Sequence, residues 1–323
     1  RVVILNLILL VVGLVGLAIA ADRFVLGAAQ VAARLQVSTV VTGALIIGFG
    51  TSAPELVVST WATFKGGAEG TALAIGNIVG SNVANLTLVM ALPVLVYVPI
   101  AIEKDAGVKR QAAVSATGVT VFAAAVLLFE PTRWLGLGLA LGGLTVIALV
   151  FVVWIGDRYG GVAPPDSVEG SSPWILTVVG LVGTVAFAYL VVSSATSIAD
   201  DLGWTGGFVG FGLVAVGTSL PELVTALAAA RRGEPGLIIG NLLGSNLFNS
   251  LTVGSAVFLA NGPKPFSDAA GLPVEMLLGM VAVSWLVILF MRINRRIGRI
   301  EAVGLILAYL TMLGWLAMTG ATA

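Results

Sequence analysis

Residues 50–57 read GTSAPELV, and residues 217–224 read GTSLPELV. Seven of the eight positions match. Downstream of each lies a second matched pair, IGNIVGSNVAN at 75–85 and IGNLLGSNLFN at 239–249. Neither pattern is a low-complexity run. The separation is 167 residues between Glu55 and Glu222 and 164 between Ser81 and Ser245, so the two copies differ by a short loop insertion. The chain is a duplication, and its polar motifs sit inside long apolar stretches.

Composition says what surrounds those stretches. Of 323 residues, 58% are hydrophobic and 10% charged, and mean hydropathy is +1.08. A soluble domain carries roughly 25% charged residues, so this chain cannot cover its surface in water and must be solvated mostly by lipid. With 16 basic and 16 acidic residues it is neutral, which leaves no footprint for nucleic acid. Cysteine and histidine are absent, excluding disulfides, Cys/His zinc sites and Ser–His–Asp or Cys–His nucleophiles. Any metal site must be built from oxygen, which favours hard cations. The first residue is Arg1 rather than methionine, which reads as trimming. The first apolar run is long enough to span rather than to be a cleaved leader.

A bilayer core takes about 20 apolar residues per helix. Ten such runs fall at about residues 2–21, 38–63, 72–98, 111–129, 134–156, 173–195, 206–230, 236–260, 273–292 and 300–319. The connections are expected to carry nearly all the charges, including Asp22 and Arg23 after the first span and Asp200 and Asp201 after the sixth. Lys and Arg in alternate connections number 12 against 4, which places both termini on the outer side of a cell membrane. The expected class is an all-α polytopic membrane protein. Residues 1–156 form a first five-helix repeat, 157–172 a linker and 173–323 a second repeat. An odd number of spans per half makes the second copy enter from the opposite side. Such inverted repeats place a transport site near the midplane and suit alternating access.

Charge deep in lipid costs about 2.5–3.5 kcal/mol for a group such as Asp, so an acid there needs a reason. Glu55 and Glu222 are the only acidic residues within the body of an apolar run. Each follows a proline, Pro54 or Pro221, which removes a backbone donor and breaks the helix, freeing carbonyl oxygens. Thr51, Ser52, Thr218 and Ser219 add hydroxyls on the preceding turn. In the second motif, Gly80 and Gly244 loosen the backbone beside Ser81, Asn82, Ser245 and Asn246. Asn85 and Asn249 lie one turn beyond the serines on the same helix face. Asn77 and Asn241, a turn further out, read as hinge or helix-end residues. A lone Pro-Glu pair can be simple N-terminal capping, and small polar residues in spans can be packing glue. Duplication with the same flanks argues for a site instead. Two carboxylates neutralise one divalent or two monovalent cations, so Ca²⁺ and Na⁺ can compete for one cavity. Protons compete there too, because two adjacent carboxylates do not both ionise cheaply.

The paired G-T-S-x-P-E and G-N-x-x-G-S-N-x-x-N segments resemble the α-repeats of the cation/Ca²⁺ antiporter superfamily, in particular its prokaryotic Na⁺/Ca²⁺ exchanger branch. The resemblance implies the sodium/calcium exchanger-like fold and electrogenic antiport, with the first and sixth helices sliding over a core of eight. It implies that Glu55 and Glu222 coordinate the ions beside Thr51, Thr218, Ser52 and Ser219, with Ser81, Asn85, Ser245 and Asn249 completing the cavity. Backbone carbonyls would come from Gly48 and Ala215. Some relatives carry Asp where this chain has Asn249, and its absence argues against K⁺ dependence. The expected function is exchange of Na⁺ for Ca²⁺, with H⁺/Ca²⁺ antiport on the same fold as the alternative. The partners are inorganic cations and membrane lipid, with no cofactor and no obligate protein partner. An intramembrane hydrolase is disfavoured, because a symmetric motif offers no distinction between acid and base.

Overall fold

The computed structural model describes residues 2–37, 39–97, 100–101, 106–128, 134–159, 172–201, 217–262, 274–293 and 296–320. The described chain is helical apart from one pair of two-residue strands. Among the described residues, seven helices are long and apolar enough to cross a membrane, and one bent helix pair makes an eighth. The protein is therefore an integral membrane protein. The span expected at 206–230 begins in residues 202–216, and the linker at 157–172 includes 160–171; both segments lie outside the described residues. The last expected span, 300–319, is helical within Arg299–Gly320.

The first helix corrects an expectation. α1 runs Val2–Leu35, 34 residues, so Asp22 and Arg23 lie within it rather than in a connection. Hydropathy ends a span at the first charge, but a helix continues while its backbone and far end stay packed. Beyond the charges, Phe24, Val25, Ala28 and Val31 are buried, whereas Ile4, Ile8, Val11 and Val15 are exposed on the lipid-facing half. Asp22 is held by Arg232, whose Nη2 lies 2.8 Å from Asp22 Oδ2.

After α2 (Thr39–Thr42) the chain winds through a π-helical segment, Gly43–Gly48, and a short α3 (Phe49–Thr51). It bends by 41° at Ser52 before α4. α4 is helical over Ala53–Ala84, yet it is not straight. A straight helix would hold residues 18 apart about 27 Å from each other, but Asn77 Nδ2 donates to Ser59 Oγ at 3.1 Å. Gly70 also lies against Ala62, so the chain folds back as a helical hairpin. A second π-helical segment, Asn85–Val89, leads into α5 (Met90–Val96). β1 (Ile100–Ala101) precedes α6 (Ala106–Leu128) and α7 (Trp134–Tyr159).

The second half repeats the pattern. α8 (Pro173–Asp201) is followed by α9 (Leu220–Arg231), α10 (Pro235–Phe248), a π-helical segment Asn249–Val253 and α11 (Gly254–Asn261). Asp200 and Asp201 thus belong to the end of α8. The turn between α9 and α10 uses Gly233 at φ 70°. There Glu234 N donates to Ala229 O and Gly233 N to Ala230 O, a left-handed stop that suits glycine. α12 (Val274–Ile293), β2 (Arg296–Ile297) and α13 (Arg299–Gly320) complete the chain. β1 pairs antiparallel with β2 and ties two connections together at one end.

Glycines set how the halves meet. A methyl added at Gly13 or Gly16 would strike Val191 or Phe187, and one at Gly27 or Gly180 would strike Thr177 or Phe24. The partner number falls as the α1 number rises, so α1 and α8 run antiparallel in close contact. The second-motif helices do the same: Thr71 bonds Asn261 at 2.8 Å and Asn85 bonds Asn246 at 3.1 Å. The Thr39–Thr51 segment instead runs parallel to α10, with Gly43 against Leu237 O and Gly244 against Ala44. Such approach is open only to small residues. Both large apolar clusters draw on both halves, one around Phe24, Ile47, Met90 and Leu237, the other around Ile78, Phe122, Phe258 and Met280.

Candidate cation-binding site

The bend at Ser52 puts Pro54 and Glu55 in the first turn of α4, and Pro221 and Glu222 open α9 in the same way. A proline tolerates that turn because the donor it lacks would be unpaired there. The positive end of each helix faces its own glutamate. Capping geometry is therefore present, but neither Ser52 nor Ser219 makes a side-chain cap. Both glutamates are fully buried.

Each carboxylate has one partnered and one unpartnered oxygen. Glu222 Oε1 accepts from Ser52 Oγ at 3.0 Å, and Ser245 Oγ lies 3.4 Å from it. Glu55 Oε1 accepts from Ser81 Oγ at 3.4 Å, and that hydroxyl is also 3.4 Å from Thr218 Oγ1. Glu55 Oε2 and Glu222 Oε2 have no protein partner. Ser52 reaches from the first motif to the glutamate of the second, so the two halves share one polar centre. The Gly48 carbonyl, in the π-helical segment, accepts from Ser245 Oγ at 3.0 Å. Ala215, its expected counterpart, lies outside the described residues.

The threonines lock the halves reciprocally. Thr51 Oγ1 is 3.4 Å from Asn241 Oδ1 and 3.0 Å from Ile47 O, and Thr218 Oγ1 donates to Asn77 Oδ1 at 3.2 Å. Each asparagine is fixed within its own hairpin, Asn77 Nδ2 by Ser59 and Asn241 Nδ2 by Thr225 at 3.0 Å. Asn77 and Asn241 are thus buried struts between repeats rather than helix-end residues. Their presence in both copies of the motif was the signal that could have marked them.

Asn85 and Asn249 each begin a π-helical segment, a local widening often found at functional sites. Neither amide is hydrogen-bonded to a glutamate. Asn85 donates to Asn246, leaving its Oδ1 unpartnered, and both polar atoms of Asn249 are unpartnered. Of nine buried side-chain polar atoms without a partner among the described residues, seven belong to the repeated motifs: Glu55 Oε2, Asn82 Oδ1, Asn85 Oδ1, Ser219 Oγ, Glu222 Oε2 and both of Asn249. A buried polar atom without a partner costs about 1–3 kcal/mol. Six of the seven are oxygens. These oxygens belong to the same two motifs that carry the carboxylates, a ligand set that suits a hard cation.

Fold and site together define an integral membrane protein with a buried, oxygen-lined polar centre shared between two homologous halves. The sodium/calcium exchanger protein family model matches residues 5–155 and again 172–318. The chain belongs to that family, whose members are cation/Ca²⁺ antiporters and not enzymes. It is 33% identical over 316 residues to the candidate antiporter CaxA of Alkalimonas amylolytica, covering 94% of this chain and 96% of CaxA. It is 29% identical over 352 residues to the sodium/calcium exchanger MaX1 of Methanosarcina acetivorans, covering 95% and 97%. Its structure superposes on that of the sodium-calcium exchanger NCX_Mj with a TM-score of 0.80 at 30% identity, over 97% of this chain and 99% of that one.

Proposed function

We propose that this protein exchanges Na⁺ for Ca²⁺ by alternating access, extruding Ca²⁺ electrogenically as Na⁺ enters. The observation that carries the reading is the pair of fully buried glutamates, each held by serine at one oxygen and unpartnered at the other. Ca²⁺ takes six to eight oxygens in flexible geometry. Glu55 and Glu222 supply the charge, with Thr51, Thr218, Ser52, Ser219, Ser81, Ser245, Asn85 and Asn249 around them and carbonyls from Gly48 and Ala215. One divalent cation or two sodium ions neutralise the two carboxylates, so the species compete for one centre; electrogenic exchange then requires more than two Na⁺ per Ca²⁺, the excess Na⁺ being held by the neutral oxygens.

The architecture behind this is ten spans in two inverted five-helix repeats, residues 1–156 and 173–323. Antiparallel packing of α1 against α8, the corresponding first helices of the halves, supports it. So does the twofold match of the family model. The excess of Lys and Arg in one set of connections favours outer termini in a plasma or inner membrane. α1 and α8 meet along glycines and expose their outer faces, which suits them to slide as a pair.

Ca²⁺ uptake into Na⁺-loaded proteoliposomes at fixed pH and clamped voltage tests the coupling ion. Uptake that requires the outward Na⁺ gradient is expected. Uptake that ignores Na⁺ and follows a pH gradient would replace Na⁺ by H⁺ as the counter-ion.

A further inference from the structure

The repeat predicts a matched pair of hydrogen bonds between the second-motif helices, and only one is made. Asn85 Nδ2 donates to Asn246 Oδ1 at 3.1 Å. Its mate would run from Asn249 Nδ2 to Asn82 Oδ1, and both of those buried atoms are unpartnered. The difference traces to the residue that follows the last asparagine of each motif, Leu86 in the first copy and Ser250 in the second. Asn82 Nδ2 donates to Ser250 Oγ at 2.8 Å and lies 3.5 Å from Met280 Sδ. Leu86 offers Asn246 no such partner. Asn246 Nδ2 turns instead to the Asn82 carbonyl at 2.9 Å, which leaves its Oδ1 for Asn85. Ser250 is fully buried, so its hydroxyl serves no surface role.

We propose that Ser250 is a positioning residue: by holding Asn82, it leaves the Asn249 amide free to reorient, so one wall of the cation site is fixed and the other adjustable. This rests on the exchange reading above. An amide carries both an acceptor and donors. With both polar atoms unpartnered, the Asn249 amide can present either its oxygen to a bound cation or its N–H to an acceptor as the cation leaves. Asn85, tied to Asn246, presents only its oxygen. A fully fixed site would bind more tightly through preorganisation and release more slowly, which is a poor property for a carrier that must unload on every cycle.

The test is radiolabelled Ca²⁺ binding and Na⁺-driven Ca²⁺ exchange in the full chain carrying Ser250→Ala, Ser250→Thr or Glu222→Gln. Ser250→Ala releases Asn82 Nδ2, letting the amide rotate and bring its unpartnered Oδ1 to Asn249 Nδ2. Ca²⁺ binding is then expected to tighten about tenfold, the scale of an outer-sphere change at a metal site, while kcat falls and KM falls with it. Ser250→Thr keeps the hydroxyl and should restore both. Adding Asn82→Leu to Ser250→Ala removes the new bond and should reverse the tightening. Unchanged binding and turnover in Ser250→Ala, or weaker binding with a lower Tm, would overturn the role of Ser250. If Glu222→Gln abolishes binding in the same series, the site stands while Ser250 falls. If Glu222→Gln binds Ca²⁺ normally, the exchange site itself is wrong.

Discussion

Glu222→Gln isolates the charge of the site while keeping its shape. The amide oxygen can accept from Ser52 in place of Oε1, now 3.0 Å from that hydroxyl and 3.4 Å from Ser245 Oγ. The amide nitrogen replaces Oε2, the oxygen without a protein partner, and turns a ligand into a donor. Removing one member of a buried charged interaction costs about 3–5 kcal/mol. At 1.4 kcal/mol per tenfold, this weakens Ca²⁺ binding about 10²- to 10⁴-fold. Folding should not suffer, because a neutral amide replaces a buried acid that is costly in the absence of cation. The assay is a Ca²⁺ titration of purified protein alongside its thermal unfolding curve. A Kd near that of the unaltered protein, with normal folding, would refute the reasoning. A lost Kd with collapsed folding would show that Glu222 is structural.

Other changes probe separate parts of the account. Asn249→Asp adds a third carboxylate beside the centre and should tighten cation binding and increase its sensitivity to pH; no change in either means the side chain does not face the cation. Gly244→Ala places a methyl 2.5 Å from Ala44 Cα, and overpacking of this kind costs about 1–3 kcal/mol. Its Tm should fall as the Thr39–Thr51 segment is pushed off α10, whereas an unchanged Tm would deny that contact. Asp22→Asn and Arg232→Gln each break the link between α1 and the α9–α10 turn, in which the side chains are 25% and 23% exposed. Each should cost about 1 kcal/mol or less, and the double variant no more than either alone; additive losses would mean the pair is not coupled.

The site was more legible in the sequence than the helices that carry it. Glu55 and Glu222 stand out because an acid in an apolar run violates a strong rule and does so twice with the same flanks. The hydroxyls came with them, since the spacing that puts Ser52 before Glu55 is local. Helix ends were harder. Hydropathy stopped the first span before Asp22, yet α1 continues to Leu35 because its far end is buried and Asp22 finds Arg232 across 210 residues of sequence. The fold-back within Ala53–Ala84 and the three π-helical segments among the described residues leave no clear composition signal. The reciprocal contacts of Thr51 with Asn241 and Thr218 with Asn77 depend on the meeting of the two copies, which a single motif read alone does not reveal. The asymmetry at Ser250 is one residue wide, just outside the matched pattern.

The most direct test of the central claim is to locate the cation. Crystals grown with Ca²⁺, or with a heavier divalent ion that scatters anomalously, should show a peak in contact with both Glu55 Oε2 and Glu222 Oε2, and Na⁺ should abolish that peak. A peak elsewhere, or one at this place that persists unchanged in saturating Na⁺, would contradict a shared site for the exchanged ions.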